Sequence, residues 1–149
     1  MNDQPSPAAS IPGRPLSIIS WVFQIGIAGL FAMFAVQKFQ YVPDTQAIFE
    51  NIGGHPAAIA SGVFELLAAV LLLVPRTAAI GAGLSVVAML GAIGAHLGPV
   101  GMAPVNPETG EANGSLFFMA IGVLVLSLAI LIIRRRSVLA LLPGRRAAE

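Results

Sequence analysis

Glu65 lies at the centre of an apolar run, Ala57–Val74, that is long enough to cross a bilayer. A carboxylate at mid-membrane depth costs about 2.5–3.5 kcal/mol on insertion scales, so it faces a partner or a cavity rather than lipid. Lys38 and His96 fall near the ends of two further apolar runs. These three residues are the candidate catalytic groups. Glu65 could relay protons or couple proton binding to a solute, while Lys38 or His96 could hydrogen-bond a carbonyl. Each also has a structural reading: a carboxyl bonded across helices, a snorkelling lysine, a packed histidine.

Gln24 and Ser85 are the candidate polar-core residues. Counting ~1.5 Å of rise per residue from the helix ends puts Gln24, Glu65 and Ser85 at one depth, so either neighbour could hydrogen-bond the carboxylate. Ser127 is somewhat shallower and could join through water. Gln24 lines up below Lys38, and Ser85 below His96, which makes a polar funnel. On this geometry Glu65 sits roughly 10–15 Å deeper than Lys38, so a direct pair needs an inward-pointing lysine or a bridging water.

Several chemistries are excluded or disfavoured. With no cysteine, the chain has no thiol–disulfide mechanism, covalent c-type haem or cysteine-ligated metal of its own. Its two histidines do not face each other: His55 reads as a loop residue and His96 as helical, so no haem or metal site is expected. There is no phosphate-binding glycine loop, nucleophile motif or nucleic-acid signature. No self-contained catalytic motif remains, which leaves open whether the protein is an enzyme.

The elements that position these residues are membrane spans. Only 10% of the residues are charged, where a soluble domain carries roughly 25%. Four apolar segments account for the difference: about Leu16–Gln37, Ala57–Val74, Thr77–Gly98 and Leu116–Ile133. About 20 residues span the hydrocarbon core as a helix, and the shorter alternating segments of a β-barrel are missing. The expected fold is an all-α, integral membrane four-helix bundle. The first span is longer than a signal-peptide core and reads as retained. Residues 1–13 read as disordered, 14–136 as the four-helix domain and 137–149 as a basic cytoplasmic tail.

Arg14, Arg76, Arg134–Arg136, Arg145 and Arg146 fall on one side of the four spans and Lys38 on the other. The positive-inside rule therefore makes both termini cytoplasmic. The loops Phe39–Pro56 and Pro99–Ser115 are then external, with Ser115 a cap for the last helix. The turn Val74-Pro75-Arg76 makes the second and third spans antiparallel neighbours. Ala58, Ser61, Gly62, Ala68 and Ala69 share the Glu65 face and should pack inward, with Phe64, Leu67 and Leu71 toward lipid. Gly94 and Gly98 form a GxxxG pair, which packing within the bundle explains at least as well as dimerisation.

Four pieces of sequence carry a family resemblance. They are Gly29–Phe39, Gly62–Leu67, Leu71–Ala82 and Met89–Leu97. In this order and spacing they resemble the DoxX family of small four-helix bacterial membrane proteins. The resemblance implies a cytoplasmic-membrane protein associated with redox systems, since a related subunit occurs in thiosulfate:quinone oxidoreductase. It makes a quinone the expected non-covalent ligand and other redox-complex subunits the expected partners; the spans themselves imply the lipid bilayer, and so few helices would need a homo-oligomer to form a transporter. The leading function is then a subunit or accessory of a quinone-linked complex. The alternatives are a small-solute binding or proton-coupled transport protein and a structural or assembly subunit.

Overall fold

Each apolar run becomes a helix close to its expected bounds. The computed structural model describes residues 14–134, which form α1 (Arg14–Gln40), α2 (Pro43–Phe49), α3 (Gly54–Leu73), α4 (Ala78–Leu97) and α5 (Ser115–Ile133). The expected disordered N-terminus, the basic tail, and Arg135, Arg136, Arg145 and Arg146 lie outside the described residues. Among the described residues there is no strand, only an isolated bridge between Val105 and Ala112. The four long helices are long and apolar enough to cross a membrane. Their outer faces carry exposed Ile18, Val22, Val63, Val87, Phe118 and Ile132, as a lipid-facing surface requires. The protein is an all-α, multi-pass membrane protein.

The long helices form a ring in the order α1, α3, α4, α5 and back to α1. Small residues permit the closest approaches. Ala58, Gly62, Ala68 and Ala69 of α3 are buried, as are Ala78, Gly81 and Ala82 of α4. A Cβ on Gly81 would stand 2.5 Å from the Leu72 nitrogen and 2.9 Å from the Ala68 oxygen, so α4 touches the backbone of α3 there. The turn joining the two is closed by Thr77, whose hydroxyl donates to the Leu71 carbonyl at 3.0 Å. Gly94 behaves differently from the expectation for its glycine pair. It is exposed, and a Cβ on it would meet nothing within 4 Å, so packing inside the bundle does not account for it.

α2 falls in a segment expected to be loop. The end of α1 sets its direction. Tyr41 takes the left-handed position after the helix (φ 51°) while the Val42 amide reaches back to the Gln37 carbonyl at 3.3 Å. Val42 is extended because Pro43 follows, and Pro43 then starts α2. The Tyr41 ring lies against His55, with centroids 4.6 Å apart. His55 is therefore not a loop residue: it stands in the first turn of α3, after Gly53 (φ 117°) has redirected the chain. Ser115 is not a cap either. Gly114 occupies that position, and the Asn113 side chain accepts from the Ser115 amide at 3.0 Å.

At the opposite end of the bundle Arg134 ties three segments together. Its Nε donates to Ser20 Oγ and its guanidinium to the Pro75 carbonyl, both at 3.1 Å, while it lies over the Trp21 ring. Arg134→Met should therefore lower stability on the order of 1–2 kcal/mol, read as a lower unfolding midpoint in detergent. An unchanged midpoint would show that these bonds merely replace equivalent bonds to water.

Candidate functional site

Lys38 and Glu65 meet because α1 and α3 run in opposite directions. The Cα–Cβ bond of every helical residue tilts toward the helix N-terminus. On α1 the tilt carries Lys38 away from the loop end of the bundle and inward. On α3 it carries Glu65 toward the loop end. Lys38 Nζ donates directly to Glu65 Oε1, and also to Ser61 Oγ at 3.1 Å. The large depth offset expected between the two residues is closed by side chains leaning toward each other, with no bridging water needed. Above the pair, the Phe49 ring centroid of α2 lies 5.7 Å from Nζ.

The pair is well buried, with 14% of the Lys38 side chain and 7% of that of Glu65 exposed. The second carboxylate oxygen, Oε2, is buried with no hydrogen-bond partner among the described residues. Both residues line a cavity of about 380 Å³ in the loop-end half of the bundle. Its walls come from all five helices and are mainly apolar, with Phe31, Phe34, Phe49, Phe64 and Met119 among them. Phe64 thus faces the cavity, contrary to its expected lipid-facing side.

His96 lines the same cavity and is 4% exposed. Its Nδ1 lies 2.9 Å from the Gly101 carbonyl, which only accepts, so Nδ1 carries a proton and donates to it. Phe117 packs against the ring at 6.0 Å between centroids. The structure therefore brings Lys38, Glu65 and His96 to one cavity.

It does not bring Gln24 and Ser85 to Glu65. Gln24 Nε2 donates to Ser20 Oγ at 2.6 Å, and its Oε1 is buried without a partner among the described residues. Ser127 donates to the Val123 carbonyl at 2.7 Å, which makes Ser85 the donor in the 2.7 Å Ser85–Ser127 contact. No water is needed between the serines. The expected single layer splits for the reason that unites the ion pair. α1 and α4 run together, so Gln24 and Ser85 tilt toward the arginine end while Glu65 tilts away from it.

The contributions of Ser61 and of α2 were not anticipated. Ser61 stands one turn before Glu65 on the small-residue face, where an inward lysine would find it. The Pro43-Asp44 start of α2 is a helix N-terminus signal. Asp44 also lies on the cavity wall and accepts from Asn106 Nδ2 at 2.6 Å, joining the two loops. Among the described residues no group of three His, Cys, Asp or Glu could hold a metal ion.

A family model described as methylamine utilisation protein MauE matches residues 16–101, more than half of the chain. The chain belongs to the MauE family. The match contains Gln24, Lys38, Glu65, Ser85 and His96, and all four pieces that suggested DoxX. That resemblance is thereby corrected. Short runs of small and apolar residues around one lysine and one glutamate reflect how membrane helices pack, which does not separate one four-helix family from another.

A second model, the LPXTG cell wall anchor motif, matches residues 107–137. The likeness consists of Pro107-Glu108-Thr109-Gly110, an apolar span and a run of arginines, with Asn106 where the motif has leucine. Here Asn106 Oδ1 accepts from the Glu108 and Thr109 amides at 2.9 and 3.1 Å, folding the segment into a turn. The following span, α5, buries Ala120, Val123, Ser127 and Ile130 and completes the bundle of this MauE-family protein. No curated protein and no solved structure gives a significant match.

Proposed function

We propose that this MauE-family protein is a ligand-binding accessory of a membrane redox system serving methylamine utilisation. The observation that carries this reading is the Lys38–Glu65 pair set into the wall of an otherwise apolar cavity, with one carboxylate oxygen unpartnered. The cavity volume falls within the roughly 300–1,000 Å³ of small-molecule sites. Family membership supports the pathway, and with no cysteine in the chain any thiol or iron–sulfur chemistry in that pathway would belong to a partner. With the DoxX resemblance replaced, the site itself does not single out a quinone.

A structural role is the competing reading, and the same pair favours it by fastening α1 to α3. Gentle solubilisation of the native protein followed by mass spectrometry of copurifying proteins and lipophilic molecules separates the two. A redox partner recovered together with a small ligand is the expected result. A partner without any ligand would move the assignment to assembly. A lone, ligand-free protein would overturn the accessory reading.

A further inference from the structure

We infer that the cavity takes a neutral lipophile carrying a hydroxyl group, which donates to Glu65 and accepts from Lys38. This assignment of ligand class rests on the ligand-binding reading above. Three observations lead to it.

The first is charge. Lys38 and Glu65 neutralise each other across the direct pair, and Asp44, the other acidic residue on the wall, is exposed to the outside and bonded to Asn106. A carboxylate or phosphate brought to Lys38 would face Glu65, and an ammonium brought to Glu65 would face Lys38. Taking a further charge into this apolar site would incur its full desolvation cost. A neutral head group meets neither penalty.

The second is unused hydrogen-bonding capacity. Glu65 Oε2 is buried without a donor. An ammonium has three N–H groups, and two of those on Lys38 go to Ser61 and Glu65. The pair therefore offers one vacant acceptor beside one vacant donor. A carbonyl or ether satisfies only Lys38. A hydroxyl satisfies both, because its hydrogen donates and its oxygen accepts. The terminal carboxylate torsion is broad and soft, so a partial turn can bring Oε2 toward the cavity that Glu65 lines while the flexible lysine follows Oε1.

The third is the body of the site. Phe31, Phe34, Phe49 and Phe64 line the same cavity as the pair, and rings suit a flat apolar skeleton. A water molecule could answer the two polar atoms but not this wall.

The test uses the full-length protein in detergent and three matched probes: 1-naphthol, 1-methoxynaphthalene and naphthalene. Binding is read by equilibrium dialysis against protein-free micelles of the same detergent. The wild type should bind 1-naphthol at least about tenfold more tightly than 1-methoxynaphthalene, since only the former completes both bonds. The charge-neutral double variant Lys38→Met/Glu65→Met should keep naphthalene binding, which shows the cavity intact, and lose that preference. Equal binding of all three probes would overturn the hydroxyl assignment while leaving a ligand site in place. A preference that survives the double variant would also overturn it, by locating the recognition elsewhere. Binding of none above the micelle background would overturn the ligand-binding reading itself.

Discussion

Replacing Glu65 alone with methionine is expected to cost roughly 3–5 kcal/mol of stability, and replacing Lys38 as well to restore most of it. The single variant leaves an ammonium among Phe49, Ser61 and the cavity wall with no counter-charge. Breaking a buried pair is costly because of the charge left behind, whereas removing both partners together is often neutral. Lys38 retains a 14% exposed side chain and can partly withdraw toward the loop end, which sets the expectation at the lower end of the range. Thermal unfolding of the two single variants and the double variant in one detergent closes the cycle. A double variant less stable than either single one would show that the pair contributes through packing rather than charge.

Gly81→Ala should be nearly as damaging, although it adds a single methyl group. The new Cβ would lie 2.5–2.9 Å from three backbone atoms of α3, which cannot step aside as a flexible side chain would. Overpacking costs typically 1–3 kcal/mol, and three contacts on rigid backbone put this site at the upper end; less the gain of roughly 0.5–1 kcal/mol from replacing a helical glycine, the expected net loss is about 2 kcal/mol. Gly91→Ala on the same helix is the control. Its Cβ meets nothing within 4 Å, and its unfolding midpoint should hold or rise slightly. If the two variants unfold together, contact between α3 and α4 at Gly81 is not what limits stability.

The spans were legible because apolar length is a strong signal, and the bounds of α3, α4 and α5 differ from the sequence reading by only a few residues. α2 was not, because a seven-residue helix that opens on Pro43 carries too little periodicity to separate from loop. Lys38, Glu65 and His96 stood out by type and position. Their grouping around one polar funnel followed from helix spacing, but the direct Lys38–Glu65 bond did not, because counting rise along a helix locates Cα atoms and ignores the direction in which side chains lean. That omission separated Lys38 from Glu65 and wrongly joined Gln24 and Ser85 to it. The family was misread for a related reason: the quoted pieces encode the demands of bundle packing more than those of a site.

The ring of helices is uneven. Contact between α1 and α5 is sparser than at the other three seams, and near the arginine end Arg134 bonds to Ser20 across it. Toward the loops the two helices face each other across the cavity, with Leu30, Phe31 and Phe34 on one side and Leu116, Met119 and Ala120 on the other. A ring yields first where its contacts are fewest and its far end is pinned. Lateral parting of α1 and α5, pivoting on Arg134, would connect the cavity to the hydrocarbon of the bilayer itself, so a lipid-dissolved molecule could pass in sideways without crossing water.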